Sequence, residues 1–380
     1  SYSVTGVQTC ALPIYNGEKI KLAPFQDVNS NGIYDPANGD YPVIRGDQAV
    51  FFMLNDTKTS HASLGTKMGI EVHAMAYAFD APADSTLNQT VFLKYDIFNL
   101  SDTNYSNVRL GLFSDMDLGS YDDDFIGFDS VLNMFYTYND AMDGDGLTYT
   151  YGNHPPAQGA MVLNKQVEKF ISTNSNSGFN GDPTTAFQYN NYLNGIWLDG
   201  SILTYGGNGY GGTTPANYMF SGVPEDTTGW LDDYGADKRG LMATEPMDLN
   251  AGDAITLDLA FPFARDYTGT HLTSVALLRQ RAQSIRNFYS QMLNAINQPA
   301  LLPNTINIFP NPGNGRFQIS IEDNSSNLEM DIFTVLGQKV FSKKSLSNND
   351  LIDLGNSKGI FIYTIKDDYE IIHKGKLIIK

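Results

Sequence analysis

Residues 254–264 read AITLDLAFPFA, and their alternation decides the fold class. Ile255, Leu257, Leu259 and Phe261 fall on one side of an extended chain, and Ala254, Thr256, Asp258 and Ala260 on the other. That period of two describes a β-strand with one buried face and one wet or semi-wet face. The reading extends to AVFFMLND (49–56), GIEVHAMAYAF (69–79), TVFLKYDIFNL (90–100), NVRLGLFSDMD (107–117) and VLNMFYTYN (131–139). Composition agrees, with 22 Tyr and 22 Phe among abundant Gly, Asn, Asp, Ser and Thr. The expectation is a mainly β protein whose body, residues 15–298, is a large β-sandwich or jelly roll. Residues 174–237, rich in Gly, Asn, Tyr and Pro, form a loop-rich insertion in it.

The net charge of −18 is unevenly placed. Residues 301–380 hold nine Lys/Arg and nine Asp/Glu, so the whole excess lies in residues 1–300, with 15 basic and 33 acidic residues. Such a body repels nucleic acid and anionic membranes and attracts cations. Val4–Ile14 (VTGVQTCALPI) resembles a translated sequencing-adapter primer. Residues 1–14 are therefore set apart as artefact, and Cys10, the only cysteine, goes with them. The native chain is expected to start near Tyr15, with its signal peptide missing. No segment approaches transmembrane length.

One helix precedes a linker. From His271 to Asn297, Val275, Leu278, Ala282, Ile285, Phe288, Tyr289, Met292 and Ile296 form one stripe. Thr270 or Thr273 caps its start. Arg279, Arg281 and Arg286 mark its polar face, which is expected to dock on the acidic body. NQPALLPN then breaks the helix, with residues 299–304 as linker. About seven short strands follow in residues 305–380, as in a small Ig-like sandwich.

These last residues carry an ordered set of marks: Phe309-Pro310-Asn311-Pro312-Gly313 with Gly315 and Phe317, then Phe333 to Val340 around Gly337, then Gly359-Ile360-Phe361-Ile362-Tyr363. The ending is basic, Lys374-Gly375-Lys376-Leu377-Ile378-Ile379-Lys380. The segment resembles the type A C-terminal sorting domain of the type IX secretion system of Bacteroidota. The resemblance implies Sec export, passage through the outer membrane by the type IX machinery, and then surface attachment or release.

DVNSNGIYDPANGDYP (27–42) offers the first half of a calcium loop. Asp27, Asn29 and Asn31 take the D-x-[DN]-x-[DN] positions, Gly32 the sharp turn, Ile33 a carbonyl, and Asp35 and Asp40 further carboxylates. Flanking prolines forbid helices and the closing Glu is absent, so this is not an EF-hand. It is more like dockerin or thrombospondin type 3 loops, and weak binding is expected. The structural alternative is an Asx-rich turn capping its own backbone. A second acidic run holds Asp115, Asp117, Asp122, Asp123, Asp124 and Asp129 as a candidate cation site, to which DAMDGDG (140–146) could add Asp143 and Asp145. The alternative there is a solvated acidic loop. Residues 27–51 and 115–129 also resemble uncharacterised surface proteins of the same bacteria.

No nucleophile elbow or H-E-x-x-H is present. Glu71, Glu168, Glu225 and Glu245 are candidate glycosidase acids without a motif. Glu71 and His73 share one strand face, read as a polar face rather than a ligand pair. Aromatics in 187–197, 205–210 and 229–234 read as a sugar platform or as core. The function expected is that of a calcium-binding surface protein for adhesion or glycan capture. Alternatives are a polysaccharide- or peptide-degrading hydrolase and a surface-layer subunit.

Overall fold

The computed structural model describes residues 14–15, 18–19, 23–26, 28, 31–56, 61–144, 150–174, 178–297, 306–321, 328–334, 339–355, 357–367 and 370–380. The adapter-like stretch up to Pro13 and the linker 299–304 lie outside them. The chain divides into two compact units, residues 1–289 and 290–380.

The two main sheets of the first unit are built from β1 (Gln48–Asn55), β2 (Ile70–Ala78), β3 (Thr90–Asn99), β4 (Gly111–Asp115), β5 (Asp124–Asp129), β6 (Met134–Asn139), β7 (Ala157–Val162), β8 (Val167–Thr173), β9 (Arg239–Thr244) and β10 (Ala254–Ala264). Two antiparallel meanders, β1–β2–β3 and β5–β6–β7, are joined through β10 into a seven-stranded sheet, ordered β5-β6-β7-β10-β3-β2-β1. A three-stranded sheet, β8-β9-β4, supplies the facing layer. Between them lie Phe128, Phe135, Phe170, Met242, Leu257 and Leu259.

Three strands cannot cover seven. The loop-rich insertion between β8 and β9 fills the deficit: Tyr192, Trp197, Leu203, Met219, Phe220 and Trp230 are buried in the same core. Its one helix, α1 (Ala186–Leu193), starts at a capping box between Thr185 and Gln188. The insertion is therefore part of the core rather than decoration upon it.

The sheet's other face carries α2 (His271–Asn297). Val275, Leu278, Ala282, Ile285 and Tyr289 are buried there, each large side chain contributing roughly 1.5–3 kcal/mol. Thr270 and Thr273 cap the start mutually, backbone N–H to hydroxyl in both directions. This corrects the semi-wet face read from AITLDLAFPFA: Asp258 is buried, accepting from the Tyr289 hydroxyl at 2.6 Å. The arginines also divide their roles. Arg279 pairs with Asp129 at 2.8 Å. Arg286 donates to the Leu132 and Val162 carbonyls, and Arg281 to Gln89 and the Phe263 carbonyl.

The second unit holds β11 (Ile306–Phe309), β12 (Arg316–Ile321), β13 (Leu328–Thr334), β14 (Lys339–Lys343), β15 (Leu351–Asp353), β16 (Gly359–Asp367) and β17 (Glu370–Ile379). They form sheets β11-β12-β15 and β14-β13-β16-β17 over a core of Phe317, Ile319, Met330, Ile332, Ile352 and Leu377, the small sandwich expected.

Candidate functional site

Alternation puts Glu71, His73 and Met75 of β2 and Lys94, Asp96 and Phe98 of β3 on the α2 side of the large sheet. Register sets His73 against Asp96 and Met75 against Lys94. At this edge of the sheet a cleft of about 480 Å³ is lined by Pro24, Val43, Arg45, Leu100 and these six side chains together with Phe51. That volume lies in the range of roughly 300–1,000 Å³ usual for small-ligand sites.

The cleft holds paired charges between aromatic walls. Glu71, 8% exposed, meets His73 Nε2 at 2.8 Å. His73 lies between Phe51 and Phe98, with ring centroids 5.9 and 4.8 Å away. Lys94 donates to Asp96, which also accepts from the Thr256 hydroxyl at 2.7 Å. Burial alone would raise the Asp96 carboxyl; the hydrogen bonds from Lys94 and Thr256 outweigh it and hold the group below the ordinary carboxylate range. Arg45 is 3.9 Å from Asp258. The arrangement offers cations, carboxylates, an imidazole and ring faces to one ligand.

Of the four glutamates singled out, Glu71 alone lines this cleft. Glu168 pairs with Arg109, and Glu225 lies 3.8 Å from Arg279. The pattern that marks the cleft is E-x-H on β2 beside K-x-D on β3, both on the less apolar side of their strands.

The opening acidic loop forms a closed turn. Residues 25–26 pair with 41–42, and Gly32 and Gly39 take positive φ. Buried Asp40 accepts from the backbone N–H of Val28 and of Asp35, both at 2.9 Å. Asp35 accepts from the Asn31 and Asn38 side chains, and Asn31 Oδ1 from Ile33 N–H. These are the contacts of an Asx-rich turn. Asp27 and Asn29 lie outside the described residues, as does Asp145.

The second acidic run is split by the fold. Asp129 faces α2 and Arg279, and also accepts from Val131 and Leu132 N–H. Asp115 ends β4 opposite Arg239, which it contacts at 2.9 Å. Arg239 further meets Asp182 and Asp237. Carboxylate oxygens of Asp115, Asp117 and Asp237 lie within 4.8 Å of one another, with this guanidinium on two of them. Asp122 accepts from the Ser120 hydroxyl in an exposed turn. Asp123 and Asp124 converge instead on Asn139 at the end of the β5–β6 hairpin, at 2.8 and 3.1 Å. Burial, reinforced by Asp123, Asp117 and Asp143, pushes the Asp124 carboxyl up to about 8.

The aromatic platform divides as well. Trp197, Trp230 and Tyr192 are core, whereas Tyr205 and Tyr210 are exposed, Tyr210 donating to Asp199 at 2.8 Å.

In the second unit the sorting marks close on one another. Asn311 donates to the Lys376 carbonyl and accepts from Ile378 N–H. Gly313 N–H donates to the Ile378 carbonyl, and Lys380 N–H to the Gly313 carbonyl. The bonds before Pro310 and Pro312 are cis. A side chain at Gly313 would strike the Pro310 carbonyl and Phe317 ring, and one at Gly315, where φ is +96°, the Gly355 carbonyl. Gly359 also has positive φ, and Gly375 packs on the Tyr363 ring. Lys376 and Lys380 are exposed; Lys374 lies on β17, and Gly337 lies outside the described residues. The PNPG opening and the chain's last strand are thus one structural element.

Residues 307–380 match the family model of the secretion system C-terminal sorting domain. No curated protein matches the chain. Among solved structures, one described as a polysaccharide lyase aligns at 8% identity and a TM-score of 0.27, covering 83% of this chain. This chain spans 34% of that protein's length, and the likeness is too distant to bear on fold or activity. No described helix is long and apolar enough to cross a membrane. Residues 307–380 are a type IX secretion system C-terminal sorting domain of the Bacteroidota kind, and the protein that carries it is secreted or displayed at the cell surface.

Proposed function

We propose that the body is a glycan-binding or adhesion module, stabilised by calcium, that takes its ligand in the cleft on β1, β2 and β3. The supporting observation is the lining: Phe51 and Phe98 offer ring faces to a sugar, Glu71 and Asp96 accept from its hydroxyls, and Arg45 and Lys94 receive an anionic substituent. A saccharide carrying a carboxylate or sulfate suits that set best. The test is a glycan array with the whole chain, followed by titration of any hit against Phe98→Ala and Lys94→Met. Both substitutions are expected to weaken binding about tenfold or more. An array without hits, or hits that both variants bind like the parent, sinks the reading.

One observation favours a hydrolase instead. The cleft holds two carboxylates, one nearly buried and in contact with a histidine, as acid–base chemistry on a glycosidic bond requires. Glu71→Gln separates the two. It leaves binding within a few-fold under the module reading and abolishes release of reducing ends under the enzyme reading.

A further inference from the structure

The end of the β5–β6 hairpin has an unbalanced amide. Asp124 and Asn139 face each other directly in the register, both buried. Asn139 Nδ2, with two hydrogens, faces three acceptors: Asp123 Oδ1 at 2.8 Å, Asp124 Oδ1 at 3.1 Å and the Leu118 carbonyl at 3.3 Å. Its Oδ1 is buried and accepts from no donor among the described residues. A buried amide oxygen without a donor loses its hydration with nothing in return. Asp143, fully buried behind this group, accepts from Ser120 and Tyr151 N–H. Gly119 lies so close to it that a Cβ would come within 2.0 Å of its carboxylate. The neighbouring ammonium, Lys238, is engaged by Asp232 and the Tyr234 carbonyl.

As placed, the Asn139 head turns its nitrogen to three oxygens and leaves its own oxygen without a described donor. We infer that a divalent cation binds here, held by Asp123, Asp124, the Asn139 side-chain oxygen and the Leu118 carbonyl. The two ends of an amide occupy nearly the same volume, so a half-turn of the Asn139 head presents oxygen where nitrogen now stands. The resulting oxygen separations, about 3 Å, are those of neighbouring ligands around calcium at 2.3–2.6 Å. Hard oxygens alone select calcium over zinc or copper, and waters complete the shell on the half-exposed Asp123 side. The ion ties the loop before β5 to the end of β6, an edge of the main core. This inference rests on the calcium part of the reading above and places an ion outside the opening loop.

The test is calorimetric titration of EDTA-stripped whole chain with calcium chloride, for the parent, Asp123→Asn, Asn139→Asp and Asp35→Ala. Circular dichroism confirms that each variant folds. Asp123→Asn is expected to remove one bound ion or weaken its Kd at least tenfold. Asn139→Asp adds a full carboxylate and is expected to tighten the same event about tenfold, which a purely structural asparagine would not do. If either folded variant at 123 or 139 binds like the parent while Asp35→Ala loses calcium, this placement is overturned and the calcium reading survives. If the parent takes up no calcium, both are overturned.

Discussion

Replacing Arg279 by leucine tests how α2 is held to the sheet. Arg279 meets Asp129 at 2.8 Å across the helix–hairpin contact, with the aspartate buried and the arginine about a quarter exposed. At that distance an effective dielectric near 20 gives about 6 kcal/mol of attraction, most of it offset by desolvation of the two ions. Asp129 keeps two other donors, the N–H groups of Val131 and Leu132, so its own charge is not left bare, while Glu225 loses a more distant partner at 3.8 Å. The expected net loss is about 2 kcal/mol. For a unit of this size that lowers Tm by about 4–8 °C. Thermal unfolding followed by circular dichroism reads it, and a double-mutant cycle with Asp129→Asn isolates the pair, with an expected coupling of about 1–2 kcal/mol. A coupling indistinguishable from zero, with helical signal intact, would refute the claim that this pair anchors α2.

Two further outcomes follow from the packing. Trp197→Ala should cost about 3–5 kcal/mol in urea unfolding, because the ring is fully buried and its Nε1 donates to the Gly209 carbonyl; a loss under 1 kcal/mol would return the insertion to the surface. In the sorting domain, burial would raise Asp331, but hydrogen bonds from Lys339, Ser342 and Lys366 hold it below the usual carboxylate value. A depressed folded value stabilises above the unfolded one, about 3.9, and is lost as pH falls through the folded one. Asp331→Asn should therefore cost about 1 kcal/mol at pH 7 and flatten the acid side of the stability profile. An unchanged profile in acid titration would rule that out.

The β class, the single amphipathic helix and the C-terminal sandwich were legible because each is written in local periodicity. In Ile255 to Phe261 or Val275 to Tyr289, the residues that share a face are set by the pitch of the chain alone. The sorting marks were legible through their resemblance to a known family, carried by short runs of Gly and Pro that stand in order along the chain. Neighbours across strands were not legible. Glu71 and His73 were visible as a pair, but Lys94 and Asp96 join them only through the register of β2 on β3. The six acids from Asp115 to Asp129 read as one cluster, yet a hairpin and a helix send Asp129 to Arg279, Asp115 to Arg239, and only Asp123 and Asp124 to Asn139. Asp258 read as half-wet because its cover, Tyr289, comes 31 residues later. Sequence by itself determined the mainly β class, strands such as those within 49–56, 69–79, 90–100 and 254–264, the helix from His271, and the export address at the C-terminus. Tertiary structure decided which charges meet, because pairing in a sheet joins residues far apart in the chain, at distances that local spacing does not encode.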